Sequence, residues 1–320
     1  MAIAVLGASS LLGKSLIEQL VKNSTLADLV LALDTLQDDA ENQLTIAERS
    51  FDIESPEGVS WSDCQVIVGC SAELVATYAD DIIAAGGVLL NATDSEVIGA
   101  VSSLSLSDSE WMGAQGVYQL PCATVLMLRD LLKRIDAEIG ISAVHVSALL
   151  SVSTEGQLGI DELAGQTARL LNGLPVEPEV YSRQIAFNLL AQSPAATSVA
   201  EQVEQQLPLI FAESTPLISA HSVSVPVFYG EMALVSIEST GYLSIADFID
   251  IAGEMESVDV ELEHPVTLVT DLNQHPRISV SQIRQSPNRD TELKCCIQAD
   301  VLRACKVPYL LQLIQLISSF

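Results

Sequence analysis

A glycine turn near the start of the chain joins a predicted strand to a predicted helix. The apolar run Ala2 to Leu6 leads into Gly7-Ala-Ser-Ser-Leu-Leu-Gly13, after which apolar residues recur at helical spacing. Such a turn lets backbone amides approach a pyrophosphate, and the helix N-terminus adds partial positive charge. The common fingerprint has another glycine where this chain has Ser9, so a plain tight turn is the competing interpretation. We favour a nucleotide site, and the predicted cofactor contacts are Gly7, Ala8, Ser9, Ser10, Leu11, Leu12 and Gly13.

A carboxylate follows the second predicted strand. The apolar run Leu29 to Leu33 ends at Asp34, where a carboxylate accepts hydrogen bonds from a ribose and repels a 2′-phosphate. Asp34 therefore argues against NADP, although an ordinary polar residue at a strand end is an equally open interpretation. Cys70 and Ser71, which follow the apolar strand Gln65 to Gly69, complete the predicted cofactor-binding residues. The expected cofactor is NADP or NAD.

Strands and helices alternate through the first third of the chain. Ala72 to Ala85 is predicted as a helix and Val88 to Asn91 as the next strand, which is typical of a parallel sheet. Longer β-rich runs follow, including Ile141 to Val152 and Leu217 to Phe228, and indicate a mixed or antiparallel sheet. We predict an α/β protein with a Rossmann-like doubly wound domain at 1–125, a second α/β domain at 126–299 and a C-terminal helix at 300–320 that returns to the first domain.

Composition narrows the possible partners. The chain has 42 acidic and 14 basic residues and a net charge of -28, which repels nucleic acids and anionic membrane surfaces. Its first residues lack a basic segment typical of a signal peptide, and we expect charged or glycine positions to interrupt every candidate membrane span. We predict a cytoplasmic protein without a metal site. Its cysteines lack paired CxxC spacing and are expected to be reduced; they are Cys64, Cys70, Cys122, Cys295, Cys296 and Cys305.

Cys122 is the cysteine best placed for chemistry. It follows Pro121 and precedes an apolar-periodic helix that is predicted to run through Ile135. Backbone amides and the dipole at a helix N-terminus stabilise a thiolate, which is the nucleophilic form. Small buried cysteines are ordinary core residues, and the other five have no comparable context. Position alone therefore makes Cys122 a candidate nucleophile.

Six segments resemble the aspartate-semialdehyde dehydrogenase family, and they are spread along nearly the whole chain. The glycine turn resembles the family's GATGxVG, and Leu120 to Thr124 resembles its PNCST motif, which places Cys122 on the catalytic cysteine. Asp300 to Arg303 is similar to the family's DNLRKGAA start of the closing helix. Three further segments are similar to the family's dimer-side helix, its AFN segment and its RVPVxRGH strand: Glu162 to Gly173, Arg183 to Asn188 and Val225 to Gly230.

The resemblance implies a thiol-dependent oxidoreductase of amino-acid biosynthesis. In the family a thiolate attacks an aldehyde, hydride passes to NADP, and phosphate releases the product as an acyl phosphate. The chemistry also needs a base, an amide side chain and cationic residues for the substrate carboxylate and phosphate. Family members pair through the second domain, and the apolar run Leu217 to Phe228 supports a homodimer.

This chain departs from the family at most catalytic positions besides the cysteine. Tyr229-Gly230-Glu231 stands where the family has its arginine and base histidine, and Leu150 stands at the glutamine. Glu96 aligns near the position of the family's phosphate-side arginine. The segment Ala196 to Glu204, which aligns with the family's ExxK segment, contains no lysine. Val301 stands where the family has an asparagine. Glu231 is the remaining candidate base, since a buried carboxylate can have a raised pKa. His221 is more typical of a structural histidine than of a substitute.

Two interpretations of function stay open. One is an active oxidoreductase with altered substrate preference, and the other is a non-catalytic nucleotide-binding or regulatory paralogue. The related N-acetyl-glutamyl-phosphate reductases match the Leu120 to Thr124 and Arg183 to Asn188 segments less well. A short-chain reductase is a weak alternative, because the chain contains no Tyr-x-x-x-Lys pair. We expect the classical reaction to be impaired.

Overall fold

A computed structural model describes most of the chain. The described residues are 2–23, 26–36, 42–93, 95, 97–111, 113–191, 198–211, 214–263, 266–271 and 276–318. Contacts between Cα atoms divide the chain into two compact units. The first unit is Met1–Pro121 with Lys306–Phe320, and the second is Cys122–Cys305.

The described residues form the following elements. The strands are β1 (Ala2–Leu6), β2 (Val30–Leu33), β3 (Gln43–Ile46), β4 (Arg49–Asp52), β5 (Cys64–Gly69), β6 (Val88–Asn91), β7 (Val101–Ser102), β8 (Gly116–Gln119), β9 (Ile141–Leu150), β10 (Leu190–Ala191), β11 (Leu217–Ser224), β12 (Glu231–Ser239), β13 (Val258–Glu261), β14 (Ile278–Ser286) and β15 (Arg289–Ala299). The α-helices are α1 (Leu11–Lys22), α2 (Ala72–Ala84), α3 (Ala123–Glu138), α4 (Gly156–Leu171), α5 (Val199–Gln206), α6 (Ile245–Gly253) and α7 (Val307–Ser318).

The first unit is built on a six-stranded parallel sheet. Its strand order is β2-β1-β5-β6-β8-β7, and every pair in it is parallel. Residues 3–6 of β1 have no solvent exposure, as expected for a central parallel strand covered on both faces. Helix α7 packs against α1 and β5 within this unit. The carboxyl ends of β1, β2 and β5 therefore lie side by side at one edge of the sheet.

The second unit contains a seven-stranded mixed sheet. Its order is β10-β11-β9-β12-β15-β14-β13, with parallel pairs β11–β9 and β13–β14 among antiparallel ones. In β9 the residues Val144, Val146, Ala148 and Leu150 are buried at every second position, so this strand presents one face to the core. Helix α3 packs against β9, β12 and β15 within the unit.

The predicted α/β class is confirmed, with a parallel sheet first and a mixed sheet second. Strand β15 was not predicted because its first residues, Arg289 to Glu292, are polar and hide the apolar pattern that follows. The predicted closing helix, Leu302 to Ile317, is π-helical over Val301–Lys306 and becomes α-helical only from Val307.

One expectation about membranes needs correction. Among the described residues, the helical stretch Val301–Ser318 is long and apolar enough to cross a bilayer by length and composition. The sequence expectation that charges interrupt every candidate is therefore wrong for this stretch, which tolerates Arg303 and Lys306. Half of the stretch is buried inside the protein, and a core helix of a globular protein passes the same test.

Candidate functional site

The glycine turn is tied to the end of the neighbouring strand. Gly7 has φ +96°, a left-handed conformation that favours glycine. Its N–H donates to the carbonyl oxygen of Leu33 at 2.8 Å, and the N–H of Ala8 donates to the same oxygen at 3.1 Å. The turn therefore lies at the carboxyl ends of β1 and β2. The strand order β2-β1-β5 reverses direction between β1 and β5, and open α/β sheets bind nucleotides at such a point.

Ser10 closes the turn and opens helix α1. Its hydroxyl donates to the carbonyl oxygen of Gly7 at 2.8 Å and accepts from the N–H of Gly13 at 3.0 Å. Leu11 and Leu12 begin the helix, and the first N–H groups of an α-helix have no acceptor within it. The side chain of Leu12 is buried, so the contribution of these two residues to an anion site would come from their backbone.

Asp34 faces the glycine turn. One carboxylate oxygen, Oδ2, accepts the N–H of Ser9 at 2.8 Å, and the other, Oδ1, accepts the N–H of Thr35 at 2.8 Å. The Asp34 backbone N–H donates to the carbonyl oxygen of Glu54 at 3.1 Å. These bonds fix the carboxylate beside the turn, where a bound ribose would lie.

The end of β5 closes the other side of the turn. Cys70 is buried and its N–H donates to the carbonyl oxygen of Leu6 at 2.7 Å. Burial raises the pKa of the Cys70 thiol to about 12, so this thiol is not a nucleophile. Ser71 caps helix α2, accepting the N–H of Leu74 at 3.5 Å. A Cβ on Gly7 would lie 2.6 Å from the Cβ of Ser71, so the N-terminus of α2 approaches the turn closely.

The predicted cofactor residues are thus adjacent at the carboxyl ends of β1, β2 and β5. A glycine cradle that any Cβ would fill and two helix N-termini suit a pyrophosphate, while Asp34 suits a ribose. The described residues of the first unit therefore fit a dinucleotide such as NADP or NAD. Their role in binding stays a prediction.

Cys122 is the N-cap of helix α3 in the second unit. It is half-buried, whereas the other five cysteines are buried. Its backbone N–H donates to Oε1 of Gln206 at 2.7 Å, so the end of α5 holds the start of α3. Sequence reasoning missed Gln206, which lies 84 residues away and carries no motif. Burial raises the pKa of each of the other five thiols, which leaves Cys122 as the candidate nucleophile.

Glu231 lies beside the first turn of the same helix. It begins β12, is 3% exposed, and accepts the Thr124 hydroxyl through Oε2 at 3.0 Å. Thr124 is two residues after Cys122, so the carboxylate is tied close to the helix start. The strand register pairs Glu231 with Leu150 of β9, which is also buried. After the effect of burial, the nearness of Glu231 is the next cause of the raised pKa of Cys305, and Arg129 acts in the opposite direction.

The other positions at which this chain differs from the family pattern lie in different environments, and some lie outside the described residues. Tyr229 is 42% exposed, and Val301 is buried. His221 lies exposed on β11, in register with Ser147 of β9. Glu96 and positions 192–197, which include Ala196, lie outside the described residues. Of the region expected to match the ExxK segment, residues 198–204 contain the start of α5, capped by Ser198.

Known proteins match this chain along its length. The sequence profile of the family "Semialdehyde dehydrogenase, dimerisation domain" matches residues 132–304, more than half of the 320 residues. Aspartate-semialdehyde dehydrogenase 2 of Vibrio cholerae is 26% identical over 315 residues, covering 94% of this chain and 93% of that protein.

Solved structures share the fold. A crystal structure of aspartate semialdehyde dehydrogenase II complexed with ASA, from Vibrio cholerae, has a TM-score of 0.88 at 23% identity, covering 99% of this chain and 98% of that one. The Candida albicans enzyme with NADP has a TM-score of 0.70 at 14% identity, covering both chains fully at 100%. Together with the profile match, these findings confirm the resemblance drawn from the sequence motifs. The chain belongs to the semialdehyde dehydrogenase family, and residues 132–304 match its dimerisation domain.

Proposed function

We propose that this chain is a nucleotide-binding member of the family that keeps the reactive thiol but is impaired in the phosphate-dependent oxidation of aspartate semialdehyde. The observation that carries the proposal is Glu231, a buried carboxylate bonded to Thr124 in the helix turn that begins at Cys122. An acid therefore occupies the position at which the resemblance implies a base histidine. The alternative is a non-catalytic nucleotide-binding or regulatory paralogue with the same fold.

The implied reaction sets clear requirements. The Cys122 thiolate would add to the aldehyde carbon, hydride would leave that carbon, and phosphate would displace the thiol from the resulting thioester. NADP or NAD supplies the hydride acceptor when it is bound. A base must accept the thiol proton, and cations must attract the substrate carboxylate and the phosphate. The thiolate, the substrate carboxylate and the phosphate are all anions.

The described residues of the second unit supply a nucleophile for this reaction. The N-terminus of α3 stabilises a thiolate at Cys122, and Gln206 holds the backbone of that residue in place. An ionised Glu231 would add negative charge to the same turn, which would disfavour both a thiolate and an incoming anion. Arg129, one turn further along α3, pairs with Asp130 at 2.7 Å. Proton transfer and anion binding are therefore the weak steps of the proposed mechanism.

The cofactor and the assembly complete the proposal. The glycine cradle supports binding of the pyrophosphate of NADP or NAD, and Asp34 supports binding of a ribose. The solved relative from Candida albicans carries NADP. The dimerisation-domain match supports a homodimer formed through the second unit. A cytoplasmic location and the absence of nucleic-acid and membrane partners remain predictions from the sequence.

We expect a reactive thiol without ordinary turnover. In the native protein, iodoacetamide should label Cys122 before the five buried cysteines, as measured by peptide mass spectrometry at increasing times. With aspartate semialdehyde, phosphate and either cofactor, steady-state turnover should stay below roughly one per second, the lower end of ordinary enzyme rates. Cys122→Ala is the control in both measurements. Turnover above that rate that disappears in Cys122→Ala would show that Glu231 or another group replaces the histidine.

We also expect a dimer that depends on apolar residues of the second unit. Leu234 on β12 is 48% exposed in the single chain, as is often true of association surfaces. Leu234→Lys should shift the molar mass measured by light scattering towards the monomer. Ile98→Lys, at a fully solvent-facing position of the first unit, is the matched control and should leave the mass unchanged. A wild-type monomer at micromolar concentration would contradict the prediction.

A further inference from the structure

We infer that Asp34 makes this chain prefer NAD to NADP, with NAD bound at least tenfold more tightly. The inference rests on the proposed nucleotide site and names the cofactor that the site selects. It concerns the ribose end of the site alone, where NADP carries a 2′-phosphate and NAD a hydroxyl.

The first step is the position of the carboxylate. Asp34 accepts the N–H of Ser9 from the glycine turn itself, so its side chain lies against the backbone that would hold the pyrophosphate. A carboxylate oxygen can accept more than one hydrogen bond, so the bonds from Ser9 and Thr35 leave capacity for ribose hydroxyls. A 2′-phosphate at the same place would put two anions in contact.

The second step is the charge around that carboxylate. Glu54 lies beside Asp34 through the backbone bond between their main chains, and its side chain is exposed. The sequence from Asp34 to Glu41 holds four acidic residues and neither lysine nor arginine. A 2′-phosphate is normally accommodated by a nearby arginine. The sequence that follows β2 is therefore acidic.

The first unit contains four lysine and arginine residues. Arg49, on β4, pairs with Asp28 at 3.3 Å. Lys306 interacts electrostatically with the thiol of Cys70, which follows β5. In the sheet, β1 lies between β5 and β2, and Asp34 follows β2. Lys22 pairs with Glu18 at 2.9 Å, and Lys14 lies exposed in the first turn of α1. None of these four lysine and arginine residues stands in the sequence next to Asp34.

The test is calorimetric titration of the full-length protein with NAD and with NADP. For the wild type we expect at least a tenfold lower Kd for NAD. Asp34→Asn keeps an oxygen that can accept the Ser9 N–H but removes the charge, so NADP affinity should rise at least tenfold while NAD affinity changes less. Asp81→Asn is the matched control, because it removes an exposed carboxylate of the same unit near the C-terminus of α2, whereas the N-terminus of that helix approaches the turn. Circular dichroism of each variant checks that it folds.

Each outcome is decisive. Tighter NAD binding together with the gain for NADP in Asp34→Asn supports the inference. Equal binding of the two cofactors, or tighter NADP binding by the wild type, overturns it and leaves the proposed nucleotide site intact. Failure of both cofactors to bind the folded wild type overturns the proposed nucleotide site and this inference together. An unchanged NADP affinity in Asp34→Asn also overturns the inference, because a group other than Asp34 would then set the preference.

Discussion

Gly7→Ala is expected to destabilise the protein by about 2–6 kcal/mol and to abolish dinucleotide binding. The new methyl group would lie 2.6 Å from the Cβ of Ser71 and 2.7 Å from its backbone nitrogen, so backbone must move. Overpacking of this kind costs about 1–3 kcal/mol. The left-handed φ of +96° adds a strain of about 1–3 kcal/mol for a residue with a side chain. The movement would also separate the two helix N-termini that approach the turn.

Two other glycines separate the causes. Gly58→Ala has a similar φ of +85° and open space around the new methyl group, so it tests strain alone and should leave nucleotide binding unchanged. Gly13→Ala has an ordinary φ but would press on the carbonyl oxygen of Gly7, so it tests crowding alone. Urea unfolding gives the change in stability, and calorimetry gives the change in affinity. Wild-type stability and affinity in Gly7→Ala would show that the turn is not the compact cradle described above.

The parts of the candidate site that were predicted from the sequence are each marked by a short run of consecutive residues. The glycine turn, the carboxylate of Asp34 and the cysteine at a helix start each follow from a few consecutive residues. In such segments the periodicity of apolar residues indicates whether a helix or a strand forms, and the flanking residues indicate where it ends. The fold class followed in the same way, from alternating strands and helices in the first third and longer β runs afterwards.

The contacts between distant residues had no such signal. Gln206 meets Cys122 across 84 residues, and Thr124 meets Glu231 across 107. Each contact joins one side chain to one atom, and neither residue type nor spacing indicates it. Glu231 entered the prediction only because the family resemblance aligned it with a histidine. The structure then showed that its carboxylate is engaged by the helix that begins at Cys122, which the alignment did not indicate.

The contact between Thr124 and Glu231 allows a test of the proposed impairment. We expect the double variant Tyr229→Arg/Glu231→His to raise turnover of aspartate semialdehyde at least about a hundredfold. A positioned general base contributes roughly 10²–10⁴-fold, and a hundredfold gain is about 2.7 kcal/mol of barrier. Tyr229 is exposed enough to be replaced by an arginine. A histidine at position 231 could donate one ring N–H to the hydroxyl oxygen of Thr124, which leaves its other ring nitrogen to act as the base. Leu150 is left unchanged, since a buried amide there lacks an assured partner.

The matched control is Tyr229→Arg/Glu231→Gln, which supplies the cation and removes the buried charge but provides no base. If proton transfer is the missing step, this control should gain far less turnover than the histidine variant. Cys122→Ala in the histidine background should abolish the gain, because the thiol remains the nucleophile. The rate of the histidine variant should also rise with pH as the imidazole loses its proton, since only neutral imidazole is a base. A folded histidine variant no faster than the glutamine control would show that the absent base does not limit this chain, and the non-catalytic alternative would then be favoured.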